Sequence, residues 1–349
     1  MKLLAVSHDY DWSGAPLALY RVLAGLVARG HEVHLLVDGG ETHTGSLIKP
    51  ALAAGIAVVD GVAVGDYDLV LCNTLVMGKA VVAVDQRAPV VWWVLEPVFG
   101  LDLIDQGKVD VRAFELATRI VFPTRWQAST LYSGFLKHDR ISVIPLGAPA
   151  PELAPAPPSP EGDGPLRLVH IGRVEHRKGQ DVTLEAISKL APGQVELDLL
   201  GAAKPTPYTH EIKAKIDELC ARGHVIRPHG VVSNDAALAV LSRSDVLVAP
   251  TRDDLLNLTV VEAMGLARCA ITTSLPPMVE GLRDGQDAIL IPSGDAEALS
   301  GHLDKLSRDR PRLSTIGAEA RRSYEAHFTL RAHIDAMERV LHEVAQGSS

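Results

Sequence analysis

The sequence predicts an α/β fold built of two doubly wound halves, and three observations carry that expectation. Short Val/Ile/Leu-rich runs alternate with longer stretches of helical spacing along nearly the whole chain. These runs are continuously apolar, as strands of a parallel sheet covered on both faces must be. The alternation is interrupted once, by a proline-rich segment, and then restarts. At 349 residues the chain is long enough for two domains.

In the first half, Leu3 to Val6 reads as a buried strand. Ala15 to Arg29 carries Leu17, Tyr20, Leu23, Leu26 and Val27 at helical spacing and stops at Gly30, a C-terminal cap signal. Glu32 to Val37, Asp68 to Cys72, Val90 to Val94, Ile120 to Phe122 and Ile141 to Ile144 continue the strands. Residues 148–165 read APAPELAPAPPSPEGDGP, which suits a semi-rigid spacer. In the second half, strands are expected at Leu166 to Ile171, Val195 to Leu200, Val225 to Pro228, Val246 to Ala249, Ala270 to Thr273 and Ala288 to Ile291. Helices are expected at Asp181 to Leu190, His210 to Ala221, Ala236 to Ser242, Leu258 to Leu266 and from about Asp295 onward. The domains are therefore drawn as 1–150, a linker over 151–165, 166–328, and a closing helix over 329–349.

Composition narrows the function. A formal net charge of -9 disfavours a nucleic-acid partner and an anionic membrane surface, a local basic patch aside. No stretch approaches the roughly 20 apolar residues of a membrane span, and the longest candidate, Val90 to Val98, contains Glu96. The start MKLLAVSHDY is too short an apolar run for a secretion signal. Cys72, Cys220 and Cys269 are far apart and form no CxxC, so they read as reduced, mostly buried thiols of a cytoplasmic protein. The fourteen histidines include no HxxxH pair, and no metal site is expected. No GxGxxG follows the first strand, which removes a dinucleotide-dependent dehydrogenase.

The chemistry-bearing residues lie at strand ends, where open α/β sheets bind ligands. The strand LRLVHI runs into Gly172, Arg173 and then Lys178 and Gly179. Both cations can reach an anion at the start of the next helix, where free N–H groups also point; the alternative is a solvated basic turn. The strand Val246 to Ala249 ends at Pro250 and is followed by Asp253 and Asp254, with Asn257 as a candidate helix cap. Glu262 falls inside the apolar run TVVEAMGLA, so it either faces solvent or accepts hydrogen bonds, for which ribose hydroxyls are suitable donors.

These residues resemble the GT-B glycosyltransferases of family 4, a retaining group. TRDDLLNLTVVEAMGLARCAITT resembles the family's two acidic residues with seven between them, and GRVEHRKG its Gly-Arg…Lys-Gly loop. SGAPLALYRVLAGLVARGHEV, IPLGAP and FTLRAHIDAMERVL resemble its opening loop and helix, the segment before the linker, and the last helix that crosses back to the first domain. The resemblance implies two Rossmann-like domains facing each other across a cleft, the first for the acceptor and the second for the nucleotide-sugar. It implies that Arg173, Lys178 and Asp254 act in catalysis: the cations on the donor diphosphate and its leaving charge, the carboxylate on the transferred sugar. Glu262 would hold the ribose, the backbone of Leu255, Leu256, Asn257 and Leu258 would cradle sugar and phosphate, and Gly172 belongs to the same loop. Gly14 would admit a close approach to the reacting centre. The donor, a UDP- or GDP-sugar, is a substrate rather than a cofactor. No side-chain nucleophile and no metal is required, because in this class the departing phosphate takes the acceptor's proton on the same face.

The acceptor side is read from strand ends of the first half: His8, Asp9, Asn73, Glu96, Thr124 and Arg125. For each, an ordinary loop role is the alternative, and for Glu96 a strand-end carboxylate in solvent. A soluble hydroxyl acceptor, a small natural product or a saccharide, is preferred, because the first half lacks a strongly basic amphipathic helix. The chain departs from the family pattern at Asp254, where Glu is commoner, at Leu256-Asn257, at Pro276-Pro277 in place of Gly-Gly, and at Leu95 in place of His. Two prolines offer no N–H donors. A nucleotide-sugar 2-epimerase of the same fold and a non-catalytic sugar-nucleotide binder are the rival readings.

Overall fold

Two parallel sheets organise the protein in a computed structural model that describes residues 1–37, 45–84, 86–137, 139–149 and 164–347. The chain divides into two compact units, Met1–Gly147 with Leu330–Ser349, and Ala148–Thr329. The expected linker lies outside the described residues as far as position 163.

The first unit runs β1 (Lys2–Ser7), α1 (Gly14–Ala28), β2 (Glu32–Val37), α2 (Ile48–Ala53), β3 (Ala57–Val58), β4 (Leu69–Asn73) and α3 (Gly78–Val84). It continues with β5 (Val90–Trp93), α4 (Phe99–Asp105), α5 (Ala113–Leu116), β6 (Arg119–Phe122) and β7 (Ile141–Val143). The second unit runs β8 (Leu166–Ile171), α6 (Gln180–Ser188), β9 (Val195–Leu200), α7 (Pro207–Ala221), β10 (Val225–Gly230) and α8 (Asn234–Arg243). Then come β11 (Val246–Ala249), α9 (Leu258–Gly265), β12 (Cys269–Thr273), α10 (Pro276–Val279), β13 (Ile289–Ile291), α11 (Ala296–Arg308) and α12 (Pro311–His327). The last helix, α13 (Leu330–Ala345), belongs to the first unit and packs on α1, β4 and β5.

The strand orders are β3-β2-β1-β4-β5-β6-β7 and β10-β9-β8-β11-β12-β13. Each sheet winds outward in both directions from its first strand, so strand order reverses between β1 and β4 and between β8 and β11. Those are the places where this architecture binds ligands. Both units are Rossmann-like, as expected.

The apolar runs behave as double-sided strands. On β11, Val246 and Val248 join the core under α6, α7 and α11, while Leu247 and Ala249 join the core under α8, α9 and α12. All four are at most 3% exposed, which leaves no polar face. The expectations for Glu32 to Val37 and Val246 to Ala249 match to the residue. Short elements such as β3, α2 and α10 were not anticipated, because two to six residues are too few to show a period. Cys72 and Cys269 are buried and Cys220 is exposed. No helix of the described residues is long and apolar enough to cross a membrane.

Glycine sets one close packing. A Cβ built on Gly317 of α12 would lie 2.1 Å from the Ala267 carbonyl oxygen, which is backbone and cannot rotate away. Gly301 of α11 has no atom within 4 Å of such a Cβ. The same substitution should therefore have opposite signs at the two sites. Gly317→Ala should destabilise by about 1–3 kcal/mol through overpacking. Gly301→Ala should stabilise by about 0.5–1 kcal/mol through helix propensity. Urea denaturation of both variants checks this; a gain at Gly317 would refute the packing described.

Candidate functional site

In the second unit, two loops at the carboxyl ends of β8 and β11 are sewn together. The Gly172 N–H donates to the Leu200 carbonyl at 2.9 Å and Val174 N–H to Ala202 at 2.8 Å, tying the first loop to the end of β9. One turn of 3-10 helix, His176–Lys178, leads to Gly179 at φ 73, which opens α6. Only glycine fits there, since a Cβ would sit 2.2 Å from the Pro250 carbonyl oxygen. From the other side, the Arg252 N–H donates to the Arg177 carbonyl at 2.7 Å and Thr251 Oγ1 to the same oxygen at 2.8 Å. The Arg252 guanidinium holds both oxygens of Asp181, at 2.8 and 2.5 Å, and Tyr208 Oη donates to Asp181 Oδ1 at 2.8 Å. The Arg252 pair holds the Asp181 carboxyl below its ordinary range against the opposing effect of burial.

The four residues singled out in these loops have distinct surroundings. Lys178 Nζ lies 2.5 Å from Asp254 Oδ2, and each side chain is 15% exposed. Arg173 is exposed and its guanidinium makes no ion pair among the described residues, while its carbonyl accepts from Gln180 Nε2 at 2.8 Å. Glu262, on the second turn of α9, is 7% exposed, so the solvent-facing alternative does not hold. Asn257 caps α9 as expected, its Oδ1 accepting from Thr259 N–H at 3.0 Å.

The α9 N-terminus also offers donors. Leu255 N–H is taken by Asp254 Oδ1 at 3.0 Å. The N–H groups of Leu256, Asn257 and Leu258 donate to no acceptor among the described residues. Free amides at a helix start favour an anion. The side chains of Leu255 and Leu256 are 3% and 4% exposed and anchor the loop in the core. Behind Lys178, His170 is buried with Nδ1 3.0 Å from Thr183 Oγ1. Burial, with the Lys178 charge adding, pushes it down to about 3, so it stays neutral. Pro276-Pro277 opens α10 at the first two helical positions, where a missing N–H costs nothing.

In the first unit, polar groups gather at the ends of β1, β4 and β5. Thr74 has φ 79 and ψ 157, a left-handed setting that costs a β-branched residue about 1–3 kcal/mol. It is held on three sides: its N–H donates to Trp93 O at 2.8 Å, Trp92 Nε1 donates to its carbonyl at 2.8 Å, and its Oγ1 lies 3.0 Å from His8 Nδ1. His8 Nε2 is 3.2 Å from Asp9 Oδ2, and this contact raises the histidine's affinity for a proton. Asn73 is fully buried; its Nδ2 donates to Ala15 O at 3.3 Å, and its Oδ1 has no partner among the described residues.

Glu96 is 7% exposed, which overturns the solvated strand-end alternative. Its Oε2 accepts from Leu75 N–H at 2.7 Å and Leu95 N–H at 3.1 Å. Its carbonyl accepts from Gln127 Nε2 at 3.1 Å and Tyr132 Oη at 3.0 Å. Burial pushes the carboxyl up to about 7, with the backbone donors and the nearby His8 opposing. His8, Asp9, Thr74 and Glu96 thus form one cluster. Thr124 does not join it: its Oγ1 bonds with Gln127 Oε1 and Gln127 N–H, both at 3.3 Å, a local structural role. Arg125 sits exposed at the end of β6. At Gly14, a Cβ would meet nothing within 4 Å, so packing alone does not demand glycine. The Asp181–Arg252–Tyr208 network was missed; the one hint was an arginine directly before the acidic pair.

Residues 165–309 match the family model for glycosyl transferases group 1, and residues 1–154 match that for glycosyl-transferase family 4. A phosphatidyl-myo-inositol mannosyltransferase of Mycobacterium leprae is 30% identical over 213 residues, 58% of this chain and 52% of that protein. A D-inositol 3-phosphate glycosyltransferase of Xylanimonas cellulosilytica is 26% identical over 235 residues, 62% of this chain and 55% of that protein. The matched region thus spans about half the length of these curated relatives. Among solved structures, Anabaena Alr3699/HepE in complex with UDP superposes with a TM-score of 0.82 at 17% identity, covering 98% of this chain and 100% of that one. Sucrose-phosphate synthase from Thermosynechococcus elongatus gives 0.78 at 16% identity, covering 100% of both chains. At such identities the likeness is one of fold.

The buried Glu96 carboxyl generates a pH prediction. A carboxyl whose folded pKa exceeds its unfolded one stabilises the fold while protonated; that contribution is complete below about 4.5 and is lost as pH rises to about 7. Glu96→Gln keeps an acceptor for Leu75 and Leu95 but cannot titrate. Wild-type stability minus that of Glu96→Gln should therefore fall by about 1–3 kcal/mol across this window. His8 is present in both proteins, so it enters the difference only through its coupling to the Glu96 charge. Urea melts at the two ends of the window measure it, and a difference that does not change with pH would contradict the burial described.

Proposed function

Because the chain belongs to the family-4, group-1 glycosyltransferases, we propose that it moves a hexose from a nucleotide-sugar to a hydroxyl acceptor, with retention at the anomeric carbon. The observation that carries this is the donor cluster of the second unit. The amides of Leu256, Asn257 and Leu258 and the Arg173 guanidinium, without partners among the described residues, and the cation of Lys178 all lie in the loops at the ends of β8 and β11. That arrangement suits a diphosphate. UDP is the preferred base, supported by the UDP and UDP-glucose bound in the Anabaena HepE structures.

In this reading Arg173 and Lys178 meet the negative charge that develops on the leaving diphosphate. Their two positive charges serve without a metal. Glu262 accepts from the ribose. Asp254, now paired with Lys178, lies one hydrogen bond from the phosphate site and accepts from hydroxyls of the transferred sugar. A diphosphate that draws Lys178 toward itself releases Asp254 for the sugar, so the two halves of the donor engage together. The leaving phosphate takes the acceptor's proton on the face from which it departs, and no protein nucleophile intervenes. The acceptor hydroxyl is a polyol's or a saccharide's, received by His8 and Asp9. The inositol-named relatives support a polyol.

A thermal-shift panel of UDP, GDP, ADP and TDP with their sugars tests the donor site. UDP should raise the melting temperature by mass action, and Arg173→Ala should lose most of that rise. Asp254→Asn should retain nucleotide binding but lower transfer by about 100-fold, the scale of one lost transition-state contact. Stabilisation by no nucleotide would refute the donor assignment. Release of an altered nucleotide-sugar without any acceptor would convert the reading to an epimerase.

A further inference from the structure

His31, Glu338 and His342 form a second cluster of ligating side chains, outside the chemistry just described. His31 lies between α1 and β2, and Glu338 and His342 lie one turn apart on α13. One ligand atom from each falls within 4.8 Å of the other two. His31 Nε2 is 2.6 Å from Glu338 Oε1, and the two imidazole rings are 5.4 Å apart. The His31 side chain is only 8% exposed and that of Glu338 21%.

Packing between α1 and α13 holds the backbone of the cluster in place. Gly25 of α1 lets α13 come close: a Cβ there would lie 2.4 Å from Ile334 Cδ1, one turn before Glu338. His333 Nδ1 is 2.7 Å from the Pro145 carbonyl oxygen, and its ring lies 5.4 Å from that of Trp93. His31 N–H donates to Leu26 O at 3.2 Å. Arg29 donates to Glu338 Oε2 and to Asp335 Oδ1, each at 2.5 Å. This cation competes for the carboxylate, but it occupies Oε2 and fixes the rotamer that turns Oε1 toward His31.

We propose that His31, Glu338 and His342 bind a divalent transition-metal ion of the zinc class, which clips α13 to the turn between α1 and β2. Two imidazoles and one carboxylate oxygen are a zinc-type donor set, with water in the fourth position. Ligand distances of about 2.0–2.2 Å require the three atoms to draw together around the ion. The half-exposed His342 swings inward, and the ion replaces the direct His31–Glu338 contact. Magnesium is excluded by preference, since it demands oxygen ligands and keeps its water. The set has no paired-histidine spacing in the sequence: its local pair is Glu-x3-His, and the third ligand lies some three hundred positions earlier, at His31.

The test uses the full chain and the metals alone. Saturating zinc should raise the melting temperature by about 5 °C, and magnesium should not. Cobalt(II) should give the visible absorption of a four-coordinate N/O site. His342→Ala, at a half-exposed helix position, should leave the metal-free melting curve unchanged and lose both signals. Glu338→Gln should weaken zinc at least about tenfold. No zinc shift in the wild type overturns the proposal, and so does a shift or cobalt spectrum that survives in His342→Ala, which would place the ion elsewhere. If His31→Ala proves too unstable to read, the His342→Ala comparison decides alone. None of these outcomes bears on nucleotide binding, so this proposal and the donor-site reading fail separately.

Discussion

Every strand pairing among the described residues is parallel, and a parallel sheet must be covered on both faces. Polar groups can then occur in quantity only at the two ends of the strands. The second unit shows how different those ends are. At the amino end, Asp245 has a fully buried side chain and accepts from Arg167 N–H, Nε and Nη2 at 2.9, 3.1 and 2.7 Å, with Arg310 at 3.4 Å. Those charges are spent on one another. At the carboxyl end, Arg173 and three successive amides have no partner among the described residues. Paired polar groups hold a fold together, and unspent ones at a strand-order reversal are what a ligand needs.

The same contrast separates residues in the first unit that sequence position alone could not. Thr124 and Glu96 both end strands. Thr124 is consumed by a local bond with Gln127. Glu96 is fixed by two backbone donors, yet is buried deeply enough to hold a proton near neutrality. Beside it, Thr74 keeps a left-handed backbone only because Trp92, Trp93 and His8 grip its carbonyl, N–H and hydroxyl. A strained residue so over-determined implies that the position of the β4 end matters more than its local energy.

The alternation of apolar runs and helical periods made the architecture legible in the sequence, because a doubly covered sheet imposes that composition on every long strand. Loops 172–179 and 251–258 stood out as candidates in the sequence because a glycine-bracketed basic loop and an acidic pair each follow directly on a buried strand. Their partnership did not. The Lys178–Asp254 pair and the Arg252–Asp181 pair join residues more than seventy positions apart, and only the β8–β11 adjacency brings them together. The burial of Glu262 was half legible: the run TVVEAMGLA posed the choice, and packing of α9 against α12 and β12 settled it.

Departures from the family pattern read differently once the local structure is known. Pro276-Pro277 removes two N–H donors, but it does so at the first positions of α10, where those groups have no intrahelical acceptor. The prolines therefore leave the helix start intact. At the start of α9, by contrast, Asn257 caps with its side chain, and its own N–H has no acceptor among the described residues. Leu95 is a parallel case. It brings no polar side chain to the end of β5, but its N–H fixes Glu96 Oε2, and Glu96 with His8 restores a titratable pair to that strand end. In both places a polar group absent from one residue stands on the backbone or side chain of its neighbour, so the two strand ends keep polar groups although the residues that carry them differ.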